Sequence, residues 1–243
     1  MVRILSFGAG VQTTALLLKD PKRYDYVVFA DVGDEKPETY KYLEEYIKPF
    51  CEVNKINFVT VRNQKWDSLM AHCLENKIIP TRSFRWCTSK FKISPIRKFA
   101  KSLGATRKNP FYQDIGISFD ESHRLGGSKY DVKYLVSEFP LAWEKITRED
   151  CYKIIKDAGF PVPPKSGCYY CPFAKKQEFI DLKRSHPELW DKAEAMEKNN
   201  SRYPEITLKN KPMEHLLDGV EINKKQATFD EMMESCDSGH CFV

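Results

Sequence analysis

No apolar stretch of this 243-residue sequence approaches the roughly 18 residues that a membrane-spanning helix requires. The first ten residues also lack the long apolar segment and small-residue cleavage site of a secretory signal. These absences exclude an integral membrane protein and predict a cytoplasmic protein with no membrane partner. Hydrophobic residues make up 42% and charged residues 30%, which is ordinary for a globular chain of one or two domains.

Acidic residues are missing from one long interval. None occurs between Glu75 and Asp114, although the same interval contains ten lysines and arginines. The net charge of the whole chain is only +5, so the overall composition does not indicate a polyanionic partner. A local cationic block attracts phosphate or sulfate, and we therefore predict an anion site here, with a solvated basic face as the alternative.

The sequence contains eight cysteines. A disulfide framework is not favoured in a cytosolic chain of this size, so metal binding or thiol chemistry is the better expectation. Cys51 and Cys73 lie in apolar helical contexts and are predicted to be core residues.

Short apolar runs alternate with helical periodicity over the first part of the chain. The predicted strands are 2–7, 24–30, 56–61 and 111–118, and the predicted helices are 13–19, 37–50, 68–75 and 95–103. This alternation predicts an α/β fold with a parallel, doubly wound, Rossmann-like sheet. Helices at 143–158 and 175–198 enclose a Pro- and Cys-rich loop. We expect a nucleotide-binding core, 1–140, and a mostly helical, Cys-containing C-terminal region, 141–243, packed on it.

A glycine-rich turn separates the first predicted strand from the first helix. Backbone N–H groups of such a turn, together with the helix dipole, bind anions. The segment SFGAGVQTTALL is not a Walker A loop, because it lacks the GK[ST] ending. It resembles the pyrophosphatase loop of the adenine-nucleotide α-hydrolase superfamily, usually SGGKDS. The resemblance implies nucleotide contacts from Ser6, Gly8, Ala9, Gly10, Gln12, Thr13 and Thr14.

This loop departs from the usual form at two charged positions. Val11 stands where lysine is usual and Gln12 where aspartate is usual. The anion-binding backbone and the hydroxyl of Thr13 remain. The resemblance therefore implies that ATP or a sulfonucleotide binds here, with Mg²⁺ as a candidate companion ion, and leaves cleavage of ATP open.

Four further segments resemble the phosphoadenylyl-sulfate reductase family of the same superfamily. FADVGDEKPETYKYLEEY is similar to its D-T-G-x-x-x-P-E-T segment, FRWCTSKFKISPI to R-x-C-T-x-x-x-K-x-x-P, and ISFDESHR to G-I-R-x-x-E-S-x-R. FPLAWEKITREDCYKII matches P-L-x-x-W-x-x-x-D-V more loosely. The resemblance implies that Asp31, Arg85 and Arg124 surround the nucleotide, and that Glu121 is catalytic. Lys90, from the acid-free interval, is a further candidate anion ligand.

Three cysteines match a cluster-binding pattern. Cys168 and Cys171 form a CxxC pair followed by proline, a spacing that suits zinc, a redox disulfide or an iron–sulfur cluster. With Cys87 they match three of the four cysteines that hold the four-iron four-sulfur cluster of adenylyl-sulfate reductases. Trp86 stands in the fourth place. The resemblance implies a 4Fe-4S cluster on Cys87, Cys168 and Cys171, while zinc and reduced structural thiols remain alternatives.

The missing ligand leaves one iron position open. Its candidate ligands are Cys151, Cys236, Cys241, His240 and a non-protein group such as sulfide. The chain end also loosely resembles the E-C-G-x-H motif that carries the nucleophile of phosphoadenylyl-sulfate reductases. That resemblance implies catalysis by Cys241 or Cys236, with metal ligation or a solvated tail as the alternatives.

The expected function is that of an iron–sulfur enzyme that binds an adenine nucleotide and carries out sulfonucleotide reduction or ATP-dependent sulfur transfer. One alternative is an ATP-dependent enzyme that thiolates or otherwise modifies nucleic acid. Another is a non-catalytic nucleotide-binding partner with a structural cluster. Candidate partners besides the nucleotide are a nucleic-acid substrate, a sulfur or electron donor protein, and a second copy of the chain.

Overall fold

A five-stranded parallel sheet forms the centre of the computed structural model, which describes residues 1–125 and 132–220. The strands lie in the order β3-β2-β1-β4-β5. They are β1 Arg3–Phe7, β2 Tyr26–Ala30, β3 Asn57–Val61, β4 Phe111–Ile115 and β5 Leu135–Glu138. Every neighbouring pair runs parallel, so the predicted α/β class is confirmed.

Helices connect and cover these strands. In the described ranges the α-helices are α1 Val11–Lys19, α2 Pro37–Tyr42, α3 Lys48–Val53, α4 Leu69–Asn76, α5 Trp86–Thr88, α6 Ser94–Ser102, α7 Pro140–Trp143, α8 Arg148–Asp157, α9 Lys176–Ser185, α10 Pro187–Lys198 and α11 Met213–Leu216. Two π-helical turns, Leu43–Ile47 and Ser89–Ile93, join α2 to α3 and α5 to α6. Two 3₁₀ turns lie at Pro21–Arg23 and Phe119–Leu125.

Both faces of the sheet are covered, as the alternation of its side chains requires. Leu5 and Phe7 point to a core shared with α1, α3 and α8. Ile4 and Val28 point to the opposite core, against α6. The sheet is therefore doubly wound. No helix of the described part is long and apolar enough to span a bilayer.

A third apolar cluster lies to one side of the sheet. Its members come from α4, the π-helical turn Ser89–Ile93, the cysteine loop, α9, α10 and α11. They include Phe91, Tyr170, Phe179 and Trp190, all at most 1% exposed. The C-terminal helices therefore pack on the core through α4.

Strand β5 was not predicted from the sequence. It has four residues, and its inward Ser137 hydroxyl accepts a hydrogen bond from Gln113 Nε2 at 2.8 Å. A buried polar pair interrupts the apolar alternation by which a strand is recognised.

Two long predicted helices are each divided in the structure. The prediction at 143–158 is wrong at its start, because Lys145 adopts a left-handed φ of 59° and Thr147 caps a new helix, α8. The prediction at 175–198 is divided at His186, because Pro187 has no N–H to continue α9 and instead begins α10.

Candidate functional site at the ends of the strands

The candidate nucleotide loop lies at the topological switch point of the sheet. Strand β1 lies between β2 and β4. From β1 the chain continues to β2, towards one edge of the sheet, whereas from β4 it continues to β5, towards the other edge. Ligands of open α/β sheets bind outside the carboxyl ends of the strands at this point. Gly8, Ala9 and Gly10 follow β1 directly, while residues 116–118 follow β4. The fold therefore puts the predicted loop where a ligand crevice is expected.

The backbone of this loop suits a glycine-rich sequence. Ala9 has a φ of 57° and is 1% exposed, in the left-handed region that glycine adopts most easily. Gly10 is extended and precedes the first turn of α1, where its carbonyl accepts hydrogen bonds from Thr14 N at 3.0 Å and Thr13 Oγ1 at 3.2 Å. Because the first N–H groups of a helix have no partner within it, this turn can donate hydrogen bonds to an anion.

Several buried polar atoms around the loop have no hydrogen-bond partner among the described residues. They are the amide nitrogen and oxygen of Gln12 and Ser118 Oγ. Ser6, on β1, is also buried, at 5% exposure. A buried polar group without a partner costs free energy, so these atoms are suited to contact a polar ligand.

Asp31 follows β2 and is already engaged by its neighbours. Its Oδ1 accepts hydrogen bonds from Tyr40 Oη and Gly33 N, both at 2.7 Å, and its Oδ2 accepts one from Arg62 Nε at 2.9 Å. Burial, and then the bond to Asp31, raise the pKa of the Tyr40 phenol. Asp31 therefore organises the edge of the crevice and holds Arg62 there.

Arg62 was missed by the sequence analysis. It is the first residue after β3 and is half exposed, with 59% of its side chain accessible. Its position directly after a strand was the available signal, because the carboxyl ends of parallel strands meet at one edge of the sheet.

Glu121 and Arg124 lie on the 3₁₀ turn that follows β4. Arg124 Nη1 donates to Glu121 Oε2 at 2.5 Å, and Arg148 Nη1 lies 4.0 Å from Oε1. Glu121 is 8% exposed. This carboxylate therefore fixes two guanidinium groups beside the crevice.

The three cysteines of the predicted cluster line a single cavity. Cys87 comes from α5, and Cys168 and Cys171 from the loop before α9. Arg85 and Lys92 line the same cavity, whose volume is about 40 Å³. The fold thus brings together residues that are far apart in the sequence.

The cysteine loop is attached to the segment that follows β2. Glu35 and Cys168 form an isolated antiparallel bridge, and Gly167 N donates to Glu35 Oε2 at 2.5 Å. Tyr170 Oη donates to Asp34 Oδ2 at 2.6 Å. Because Asp31 belongs to this same segment, the cysteine cavity and the nucleotide crevice share one structural support.

Thiolates are donors for zinc and for iron–sulfur clusters alike. Among the residues described, no group of three or more His, Cys, Asp or Glu side chains is close enough together to hold a metal ion. In a 4Fe-4S cluster each thiolate binds a different iron, so the sulfurs are further apart. The cavity, at about 40 Å³, is small for such a group.

The thiols of this cavity must ionise to bind a metal. Burial, and then the Glu35 carboxylate, raise the pKa of Cys168 well above its ordinary value, while Lys92 opposes this effect. Lys92 Nζ lies 3.4 Å from Glu35 Oε1. A bound iron cation would supply the positive charge that favours the thiolates.

The other cysteines divide into three groups. Cys151, a candidate fourth ligand, is fully buried beside Ile155 in the core that the sheet shares with α1, α3 and α8, and burial raises its pKa to about 12; the structure does not bring it to the cavity. Cys73 is buried in the same apolar cluster as the three candidate ligands, and Cys51 in the core against the sheet. Cys236, Cys241 and His240 lie outside the described residues.

Lys90 is the predicted anion ligand that lies apart from the cysteine cavity. Its Nζ lies 3.2 Å from His72 Nε2 and 4.3 Å from the centre of the Trp66 ring, and it lines a second cavity. The prediction that grouped Lys90 with Arg85 followed their closeness in sequence. The turns from α5 to α6 direct the two side chains to different cavities.

No protein-family model matches the chain. Two curated relatives are uncharacterized proteins of Methanocaldococcus jannaschii. MJ0973 is 26% identical over 204 residues, which is 77% of this chain and 45% of that protein. MJ0066 is 27% identical over 209 residues, which is 79% of this chain and 40% of that protein. The chain therefore spans less than half the length of these relatives.

Proposed function

We propose that this chain is an iron–sulfur enzyme similar to the phosphoadenylyl-sulfate reductase family, which binds an adenine nucleotide and carries out sulfur chemistry beside it. The reaction is sulfonucleotide reduction or ATP-dependent sulfur transfer. Because the chain spans less than half of its curated relatives, the proposal concerns the part of the reaction that these residues carry.

One observation carries the proposal: the segment after β2 supports both halves of the site. Asp31 lies at the strand ends, and four residues later Glu35 pairs with Cys168. The nucleotide loop follows β1, the neighbour of β2. A nucleotide at Gly8–Gly10 and a group on the three cysteines would therefore be neighbours in one crevice.

The chain's own residues have separable tasks in this proposal. The N-terminal turn of α1 binds phosphate through its N–H groups, while the unpartnered buried amide of Gln12 makes its hydrogen bonds to the ligand. Arg62, Arg85 and Arg124 neutralise phosphate or sulfate. When bound, the cluster supplies electrons, a Lewis-acidic iron or a site for sulfur.

Anaerobic analysis tests the cluster directly. The protein, purified without oxygen, should be brown, absorb near about 400 nm and contain iron and acid-labile sulfide. A colourless protein that contains zinc would contradict the proposal. Binding of ATP and of a sulfonucleotide is measured on the same sample, so loss of the cluster and loss of nucleotide binding are recorded separately.

The product released distinguishes the two reactions. Sulfite release from a sulfonucleotide that is lost in Cys241→Ser or Cys236→Ser identifies reduction by a tail cysteine. Pyrophosphate release from ATP that depends on added nucleic acid identifies the second candidate function, thiolation or another modification of nucleic acid. The acid-free interval with ten cations favours that candidate. Nucleotide binding without either product would identify a non-catalytic partner.

A further inference from the structure

A second and larger cavity lies on the other side of helix α5. Its volume is about 810 Å³, within the usual range of roughly 300–1,000 Å³ for ligand sites. Trp86 lines this cavity, whereas Cys87, the next residue, lines the cysteine cavity. One helical turn therefore separates a pocket of unassigned function from the candidate cluster site.

Three aromatic side chains give this cavity flat apolar surfaces. Phe84 is 75% exposed and Tyr203 is 48% exposed, and both line the cavity together with Trp86. Accessible aromatic rings are suited to stack on another planar ring.

The cavity also carries positive charge. Lys90 and Arg202 are among its lining residues, and none of the described lining residues has a carboxylate. Burial, and then Lys90, lower the pKa of His72, so His72 is neutral near pH 7 and the charge belongs to Lys90. Glu75, on the same helix as His72, accepts a hydrogen bond from Trp66 Nε1 at 2.5 Å.

Flat apolar surfaces beside two cations match a ligand that combines a planar ring with an anion, as a nucleotide does. One wall of the cavity, from Asn76 to Lys90, belongs to the acid-free interval, which continues through α6 with Arg97, Lys98 and Lys101. A single free nucleotide does not require cations outside the cavity, whereas a chain of phosphates is bound by cations along its length.

We propose that this cavity binds one nucleotide of a single-stranded nucleic acid, with its base against Phe84 and Trp86 and its phosphate beside Lys90 and Arg202. The proposal that the cavity binds nucleic acid is independent of the proposed function. The further step, that this nucleic acid is the acceptor substrate of chemistry at the cysteine cavity, rests on the proposed function.

The test measures binding of labelled single-stranded DNA and RNA of roughly 12 nucleotides, a length typical of such sites, by fluorescence anisotropy. ATP is omitted, and the iron content of each sample is recorded. We expect Phe84→Ala to weaken binding by roughly 5- to 150-fold, the range for loss of one stacking partner. We expect Arg202→Ala to weaken binding to all sequences and to reduce the salt dependence by about one phosphate contact.

The matched control is Trp143→Ala, which removes an aromatic side chain that is 58% exposed on α7, outside the cavity. It should leave strand affinity unchanged. Unaltered strand binding in Phe84→Ala and Arg202→Ala would overturn the proposal, as would absence of strand binding in the wild type. Equal affinity for a mononucleotide and for the strand would show that the ligand of the cavity is a free nucleotide and not a polymer. Because neither ATP nor the cluster enters the assay, failure of the proposed function would not alter its result.

Discussion

Gly116 approaches Thr13 so closely that the position has no room for a side chain. A Cβ atom at residue 116 would lie 2.7 Å from Thr13 Cγ2, 3.1 Å from Thr13 N and 3.2 Å from Gln12 Cβ. The end of β4 thus packs directly against the first turn of α1. The loops that follow two neighbouring strands are therefore fixed relative to each other at the switch point.

Gly116→Ala should displace the first turn of α1. Overpacking of this kind costs about 1–3 kcal/mol, and the affinity for ATP should fall because the N–H groups of that turn move. Isothermal titration calorimetry and urea unfolding measure the two effects.

Two further variants make this result specific. Adding Thr13→Ser to Gly116→Ala removes Thr13 Cγ2, the atom nearest the new Cβ. This double variant should recover part of the affinity for ATP. Gly104→Ala strains a residue with a φ of +94° where a Cβ meets nothing within 4 Å, so it should lower stability without changing ATP binding. Unchanged ATP affinity in Gly116→Ala would exclude the first turn of α1 as the phosphate site.

Serine at Cys87, Cys168 or Cys171 should remove iron from the protein. Each substitution replaces a thiolate donor with a hydroxyl that binds iron poorly. Loss of a residue that only supports a metal ligand lowers metal affinity by at least about tenfold, so loss of a ligand should lower iron retention by at least that factor. Cys51→Ala is the control, because Cys51 is buried in the separate core against the sheet. Equal iron content in all four variants would show that the metal is not held by these cysteines.

The parts of the fold that were predicted are those that depend on apolar patterning. Strands β1, β2 and β4 contain buried residues in runs such as 27–29, and helix α6 carries one apolar face. The same patterning does not reveal β5, where the inward Ser137 is satisfied by Gln113. It also does not reveal interruptions set by a single backbone angle, such as that of Lys145.

The sequence predicts one part of the candidate site from topology alone. Because the carboxyl ends of parallel strands lie at one edge of the sheet, Gly8, Gly10 and Asp31 follow neighbouring strands at that edge. The convergence of Cys87 with Cys168 was expected only from the family resemblance, because it depends on the docking of a loop through Glu35. Lys90 shows the opposite case: neighbours in sequence separate when a helical turn directs them apart.

Asp114 should be a major contributor to stability. It is fully buried, and its carboxylate accepts hydrogen bonds from Arg3 Nη1 at 2.8 Å, Arg23 Nε at 2.5 Å and Tyr24 Oη at 3.1 Å. Arg3 and Arg23 also share Glu138, so Asp114→Ala removes one of their two carboxylates and the buried partner of Tyr24 Oη, and the loss of such buried hydrogen-bond partners costs about 1–3 kcal/mol. Urea unfolding measures this cost. Asp157→Ala, at the exposed end of α8, should change stability by less than about 0.5 kcal/mol, and an equally small effect of Asp114→Ala would contradict the assignment.

Asp34 should make the protein less stable as the pH rises. Burial raises its pKa above the ordinary value of 3.8, although the hydrogen bonds from Tyr170 and Met70 N oppose the shift. A carboxyl with a raised pKa contributes stability that is complete below 3.8 and is lost as the pH rises through its pKa in the folded protein. Asp34→Asn keeps an acceptor oxygen for both donors but does not ionise. Relative to wild type, this variant should therefore gain stability between about pH 4 and pH 7 in urea unfolding.

Asp150 provides a control of opposite sign for this measurement. The Thr147 hydroxyl, which donates to Asp150 Oδ2 at 2.6 Å, lowers the pKa of this exposed carboxyl. Its contribution is present above 3.8 and is lost as the pH falls. Relative to wild type, Asp150→Asn should therefore lose stability as the pH rises towards about 4 and show no further change between about pH 4 and pH 7. Parallel pH profiles for the two variants would contradict both assignments, because a change common to the whole protein would then explain them.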